Sequence, residues 1–173
     1  MIDVDGSPSG YIAWYNHYTM TSGIRMLRPV VKNDKFGVQR MEMLAIYFAI
    51  ADNCLHFRKI TNSMKNKNMR QQKQKQQLKL TIEIRSDSKS TIEQLQGYSE
   101  IRDMVLQRIF RTIRKFLKGL TTTSPCTILF NYLERTRNLA GLMLEQLRRK
   151  KKEQQLVMLN QDSNMARYRD KYL

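Results

Sequence analysis

Along the first 26 residues, apolar and polar positions alternate with a period near two, broken by short turns. "MIDVD" reads as a strand, Gly6 to Gly10 as a turn, and "YIAWYNHYT" as a second strand rich in aromatic and β-branched residues. "GIRMLRPVV" predicts a third strand, and Pro29 near its end argues for a sheet edge, because proline donates nothing to a ladder. The short links predict an antiparallel meander. The period then lengthens. In "GVQRMEMLAIYFAIADNCLHF", Met41, Leu44, Ala45, Phe48, Ala49 and Asp52 recur at i, i+3, i+4, which predicts a helix over about 38–55. A helix apolar on most faces belongs against a sheet.

From Thr61 to Lys79 the pattern disappears. "TNSMKNKNMRQQKQKQQLK" contains no acid and too little apolar surface to order itself, so 58–79 is expected to be a basic insertion, either a flexible loop or a frayed helical extension. "LTIEIRSDS" restores the period of two, with Leu80, Ile82 and Ile84 inward. "KSTIEQLQGY" predicts a short helix closed by Gly97. The longer helix of "EIRDMVLQRIFRTIRKFLKGL" carries a stripe of Ile101, Val105, Ile109, Ile113, Phe116 and Leu117, with Gly119 as its stop. "CTILFNYL" is a fifth strand and "RNLAGLMLEQLRRKKKEQQL" a last helix, followed by a loosely attached "NQDSNMARYRDKYL". The order β-β-β-α-β-α-β-α predicts an α/β fold: a mixed five-stranded sheet with helices on both faces. One domain is expected over 1–147, and a basic helical extension and tail over 148–173.

Charge changes the picture most. Among 173 residues, 31 Lys and Arg against 15 Asp and Glu leave a net charge of +16. Such a surplus favours a polyanionic partner, because each cation placed on a phosphate releases condensed counterions. The Lys/Gln stretch and "RRKKK" at 148–152 would grip a backbone without reading bases. With only Cys54, Cys126, His17 and His56, no Cys/His metal site is expected. Two distant cysteines fit small apolar roles in a reducing compartment, with the cytoplasm as default. No apolar run approaches the ~20 residues of a membrane span. Neither GxGxxG nor GxxxxGK[ST] occurs, so no small-molecule cofactor is expected.

Three acids stand out because their flanks are strand-like or buried-helix-like: Asp5, Glu42 and Asp87. Each is a poor place for a charge unless something compensates it, and a metal would. Converging carboxylates are what a two-ion phosphodiester hydrolysis requires, with hard oxygen ligands and ions ~3.5–4 Å apart. The alternative is that each acid sits in water at an element's rim.

"DGS" after a strand, "QRMEMLAI" opening a helix and "IRSDSKSTIEQLQG" crossing from strand to helix together resemble ribonucleases H of type 1, in their compact prokaryotic form. The resemblance covers roughly residues 1–57 and 78–147. It implies the element order already derived, and catalytic, metal-holding roles for Asp5, Glu42 and Asp87 with two Mg²⁺ or Mn²⁺ ions. It also implies an endonuclease hydrolysing the RNA strand of an RNA/DNA hybrid, leaving 3′-hydroxyl and 5′-phosphate ends. Asp3 is then a strand-edge or structural acid. Gly6, Ser7, Ser9, Ser86, Ser88, Arg135 and Asn138 are the expected substrate contacts.

The chain departs from that pattern in three places, the slightest being that no His lies between the fifth strand and the last helix. The family's last motif, Arg-x-x-Asn-x-x-Ala-Asp, finds Arg135 and Asn138, but the acid falls on Leu142, or on Gly141 after a one-residue slip. Glu145, one turn on, either substitutes in part or pairs along the helix with Arg148 or Arg149. The first turn is short and lacks the longer loop that approaches the 2′-hydroxyls, the contacts that separate RNA from DNA. Two alternatives therefore stand: a weakened or inactive nucleic-acid-binding module, and a DNA-directed, resolvase-like nuclease of the same superfamily.

Overall fold

The computed structural model describes residues 1–70, 80–123 and 126–172. Five strands form one sheet: β1 (Ile2–Gly6), β2 (Tyr11–Asn16), β3 (Thr21–Met26), β4 (Leu80–Ser86) and β5 (Cys126–Tyr132), in the order β3-β2-β1-β4-β5. The first three make the antiparallel meander, and β4 and β5 run parallel to β1. Four helices complete the predicted order: α1 (Gly37–Arg70), α2 (Lys89–Gln96), α3 (Met104–Thr123) and α4 (Leu139–Tyr172). A 3₁₀ turn, Arg135–Arg137, introduces α4.

Alternation along β1 divides the two faces of the sheet. Ile2 and Val4 point into the main core with Met43, Ile46 and Ile50 of α1, Ile84 of β4, and Leu106 and Ile113 of α3. Asp3 and Asp5 point to the other face, where α4 packs through Ala140 and Leu144 onto Ala13. Two glycines make close approaches possible. A Cβ on Gly6 would lie 2.4 Å from the backbone carbon of Met41, so the glycine lets α1 settle directly on the end of β1. A Cβ on Gly23, opposite Trp14 in the ladder, would strike the indole at 2.6 Å.

Several boundaries differ from the sequence expectation. α1 runs beyond Leu55 to Arg70, so residues 61–70 take the helical form of the two foreseen; the rest of the Lys/Gln stretch, 71–79, lies outside the described residues. β3 ends at Met26, which leaves Pro29 beyond the strand. α3 passes through Gly119, and its buried line is Leu106, Ile113, Leu117 and Leu120, whereas Val105 is exposed. The expected stripe departs only at Val105: Ile113 and Leu117 are buried, and Ile101, Ile109 and Phe116 pack against the core. The helix starts at Met104, capped by Asp103, whose carboxylate accepts the Leu106 N–H at 2.8 Å. Asp103 also takes both arms of Arg40 at 2.9 and 2.6 Å, which ties α3 to α1 and holds its carboxyl down at about 2. α4 continues through the segment expected to be loose, to Tyr172.

Candidate active site

β1, β4 and α1 converge at one end of the sheet. Asp5 is near the C-terminal end of β1, Asp87 follows β4 by one residue, and Glu42 lies in the second turn of α1. Their carboxylates come together, each offering an oxygen within 4.8 Å of the others. Glu42 is buried and Asp5 and Asp87 are half-buried, so repulsion and desolvation act together. Burial, and then the charge of Asp87, push Asp5 up to about 6; hydrogen bonds with Glu42 and the Gly6 N–H (2.9 Å) hold back a larger rise. Burial first, then the charges of Asp5 and Asp87, push Glu42 well above the usual carboxylate range.

A cluster so costly in anionic charge fits a divalent cation. All its donors are hard oxygens, which suits Mg²⁺ or Mn²⁺ and does not suit a soft metal. The cleft around it measures about 270 Å³, and Ser7, Ser88, Arg135 and Arg148 lie on its walls. The larger groove of about 810 Å³ between α3 and β5 has no acid in its lining.

The other expected site residues divide into two groups. Ser7, Ser9, Ser88 and Arg135 line the cleft, and the Arg135 charge opposes the rise of Asp5. Ser86 and Asn138, also expected as substrate contacts, are fully buried and support the site from beneath. Ser86 Oγ reaches Glu42 Oε2 at 3.4 Å and accepts the Ser88 N–H at 3.1 Å. Asn138 donates from Nδ2 to Asp87 Oδ1 and to the Val4 carbonyl, both at 2.9 Å, while its Oδ1 accepts the Gly141 N–H at 3.3 Å. Gly6 borders the cleft but is buried beneath Met41 and Glu42.

Of the two positions named for a fourth acid, Gly141 faces the cluster and Leu142 does not. A Cβ on Gly141 would lie 3.3 Å from Asp5 Oδ2, whereas Leu142 is 39% exposed. Glu145 borders the cleft, but its carboxylate takes Arg149 at 2.6 Å, the helix pairing foreseen as one alternative, and that contact lowers its pKa. It is not in the three-acid cluster.

Asp3 is not at an edge: it is fully buried on the central strand. It pairs with Arg85, its neighbour on β4, at 2.7 Å, and with His17 Nε2 at 2.8 Å. The α4 end contributes the Leu139 N–H to the same carboxylate at 3.3 Å. These partners come from residues 14 and more than 80 positions away, so only the fold brings them together. For Asn138 and Gly141 a local signal did exist, the Asn-x-x-Gly spacing that closes the first turn of α4.

No protein-family model matches the chain, and no curated protein does. Solved structures do. LC11 ribonuclease H1, isolated from compost by a metagenomic approach, is 15% identical and superposes with a TM-score of 0.56, covering 83% of this chain and 89% of its own. Ribonuclease H1 of the halophilic archaeon Halobacterium salinarum is 16% identical with a TM-score of 0.55, over 80% and 88%. LC11 ribonuclease H1 in complex with an RNA/DNA hybrid gives 14% identity and a TM-score of 0.49, over 80% and 87%. The chain has a ribonuclease H-like fold. No helix among the described residues is long and apolar enough to cross a membrane.

Proposed function

We propose that the protein is a metal-dependent endonuclease that hydrolyses the RNA strand of RNA/DNA hybrids. The observation that carries this reading is the meeting of Asp5, Glu42 and Asp87 at the strand ends, in a cleft open to solvent, on a chain of net charge +16. The ribonuclease H-like fold agrees with it.

In this reading the three carboxylates hold the metal, Mg²⁺ or Mn²⁺. Bound divalent ions supply the charge that activates water and stabilises the leaving 3′ oxygen. Asn138 fixes the Asp87 carboxylate, so that the oxygen it leaves free is aimed before metal arrives. Ser86 supports Glu42. Arg135, on the cleft wall, is placed to neutralise a substrate phosphate, and Ser7 and Ser9 present hydroxyls on the short β1–β2 turn. Gly141 leaves the metal one carboxylate short, which predicts weak retention of a second ion and a preference for Mn²⁺ over Mg²⁺.

The test is cleavage of a labelled RNA/DNA hybrid beside duplex DNA and duplex RNA, in Mg²⁺ and then Mn²⁺, with Asp87→Asn as control. Hybrid cutting that vanishes in Asp87→Asn supports the reading. Cutting of duplex DNA alone would move the protein to the DNA-directed class. Binding without cutting in either metal would make it a nucleic-acid-binding module.

A further inference from the structure

The carboxylate cleft does not end at Glu145. Ser7, Ser9, Leu144 and Arg148 also line a second groove of about 370 Å³, which runs on between Tyr11, Met26 and the next turns of α4. The two form one furrow. Its α4 wall follows from helical spacing: Gly141 faces Asp5, and Leu144, Arg148, Lys152 and Gln155 stand three, seven, eleven and fourteen residues further on, along one face.

The five basic residues at 148–152 do different things there. Arg149 is taken by Glu145. Lys151 donates to the Tyr11 hydroxyl and stands over its ring, 4.3 Å from the centroid, while Tyr11 donates to Met26 Sδ at 3.1 Å. That contact docks α4 on β2 past Leu144, where the buried apolar packing ends. Lys150 lines neither groove. Arg148 and Lys152 line the furrow, and neither makes an ion pair among the described residues.

We propose that this furrow is a phosphate track: Arg148 and Lys152 each bind a phosphate of the nucleic-acid strand held at the carboxylates, beyond the bond to be cut. The proposal rests on the reading of the cleft as a nucleic-acid site and adds how far the strand is held, and by what. The rise of a helix puts Arg148 about 10 Å from Gly141 along the axis and Lys152 about 6 Å further. The two cations therefore stand about one helical turn apart on α4, with Arg148 the nearer to the cluster. Contacts of this kind position a strand without reading its bases.

The experiment uses the full chain in EDTA, where nothing is cut. A fluorescent RNA/DNA hybrid is titrated by anisotropy across a series of KCl concentrations. Arg148→Gln/Lys152→Gln is expected to lower the log–log salt slope by about 1.8, or about 60-fold weaker binding at 0.1 M salt for lines that meet at 1 M. Lys118→Gln/Lys150→Gln removes the same charge away from the furrow and is expected to move the slope less than half as far. Thermal melts check that both exposed pairs leave the fold intact. An unchanged slope, equal slopes in the two variants, or no binding by the wild type overturns the track. Cleavage by the wild type in Mn²⁺ is read separately. Cleavage with an unchanged slope defeats the track alone, and a shifted slope without cleavage upholds the track and defeats the nuclease reading.

Discussion

The two faces of the sheet are built on different principles. On the α1 face, Val4, Ile46, Ile84, Ile113 and their neighbours form one large apolar cluster, closed to water. On the α4 face, only Ala13, Ala140 and Leu144 form a buried apolar group among the described residues, and the remaining space belongs to Asp3, Arg85, His17, Asn138 and Asp5. One face stabilises the fold by burial, at about 25 cal/mol per Å² of apolar surface. The other holds its charged groups in set positions by ion pairs and hydrogen bonds, and at Asp5 burial and the charge of Asp87 act against ionisation. Stability and function should therefore separate by face.

The largest separation is expected at the carboxylates. Asp87→Asn should reduce cleavage by more than about 10²-fold, since even groups supporting a metal ligand cost 10–100-fold. Glu42→Gln should do the same, yet raise the metal-free unfolding midpoint at pH 7, because the ionised Glu42 is disfavoured in the fold. A midpoint that falls would refute an electrostatic penalty at that cluster.

On the apolar face, Ile46→Ala should cost about 2–5 kcal/mol in urea unfolding and leave the salt dependence of nucleic-acid binding unchanged. The comparison sharpens at Asp3→Ala, on the polar face but away from the cleft. It strips the partner from Arg85, whose side chain is only 18% exposed, and should cost about 3–5 kcal/mol. A loss below 1 kcal/mol would show that Arg85 finds water instead.

A smaller effect is expected at Asn138→Ala, which should weaken Mn²⁺ binding 10–100-fold, as read by calorimetry, by freeing Asp87.

Proton linkage gives a further contrast. Asp5 binds its proton more tightly folded (about 6) than unfolded (3.8), so its contribution to metal-free stability is fully present below the unfolded value and is lost as pH rises to about 6. Asp103, held at about 2, works in the opposite sense, contributing above 3.8 and losing that contribution as pH falls toward 2. Millimolar Mn²⁺ should then raise the melting temperature more at pH ~7.5 than at pH ~5, with protons released on binding. Equal shifts at the two pH values would argue against metal on this cluster.

The smallest expected change is a gain. Gly141→Asp, at ordinary helical dihedrals, should lower the Mg²⁺ concentration needed for half-maximal cleavage several-fold, although Asp5 must yield a few tenths of an ångström to the new Cβ. Leu142→Asp, pointing to solvent, should change nothing measurable. Equal gains at the two positions would mean that α4 is rotated from the orientation described.

Element order, strand pairing of the meander and the three acids were legible in the sequence, because period-two and helical patterns are local and because an acid among apolar neighbours is conspicuous. The ends of α1, α3 and α4 were less so. Where a helix leaves the core, as α1 does after Phe57, no apolar pattern remains to mark its continuation. Three matters were decided by contacts between elements. The partners of Asp3 come from β4 and the end of β2; the choice between Gly141 and Leu142 depends on how α4 is rotated against β1; and Asn138 turns inward because both Val4 and Asp87 need its donor. Periodicity along a chain determines which face a residue takes within its own element. What stands opposite that face depends on packing between elements, and for the charges of this protein that packing decided which are structural and which remain open to chemistry.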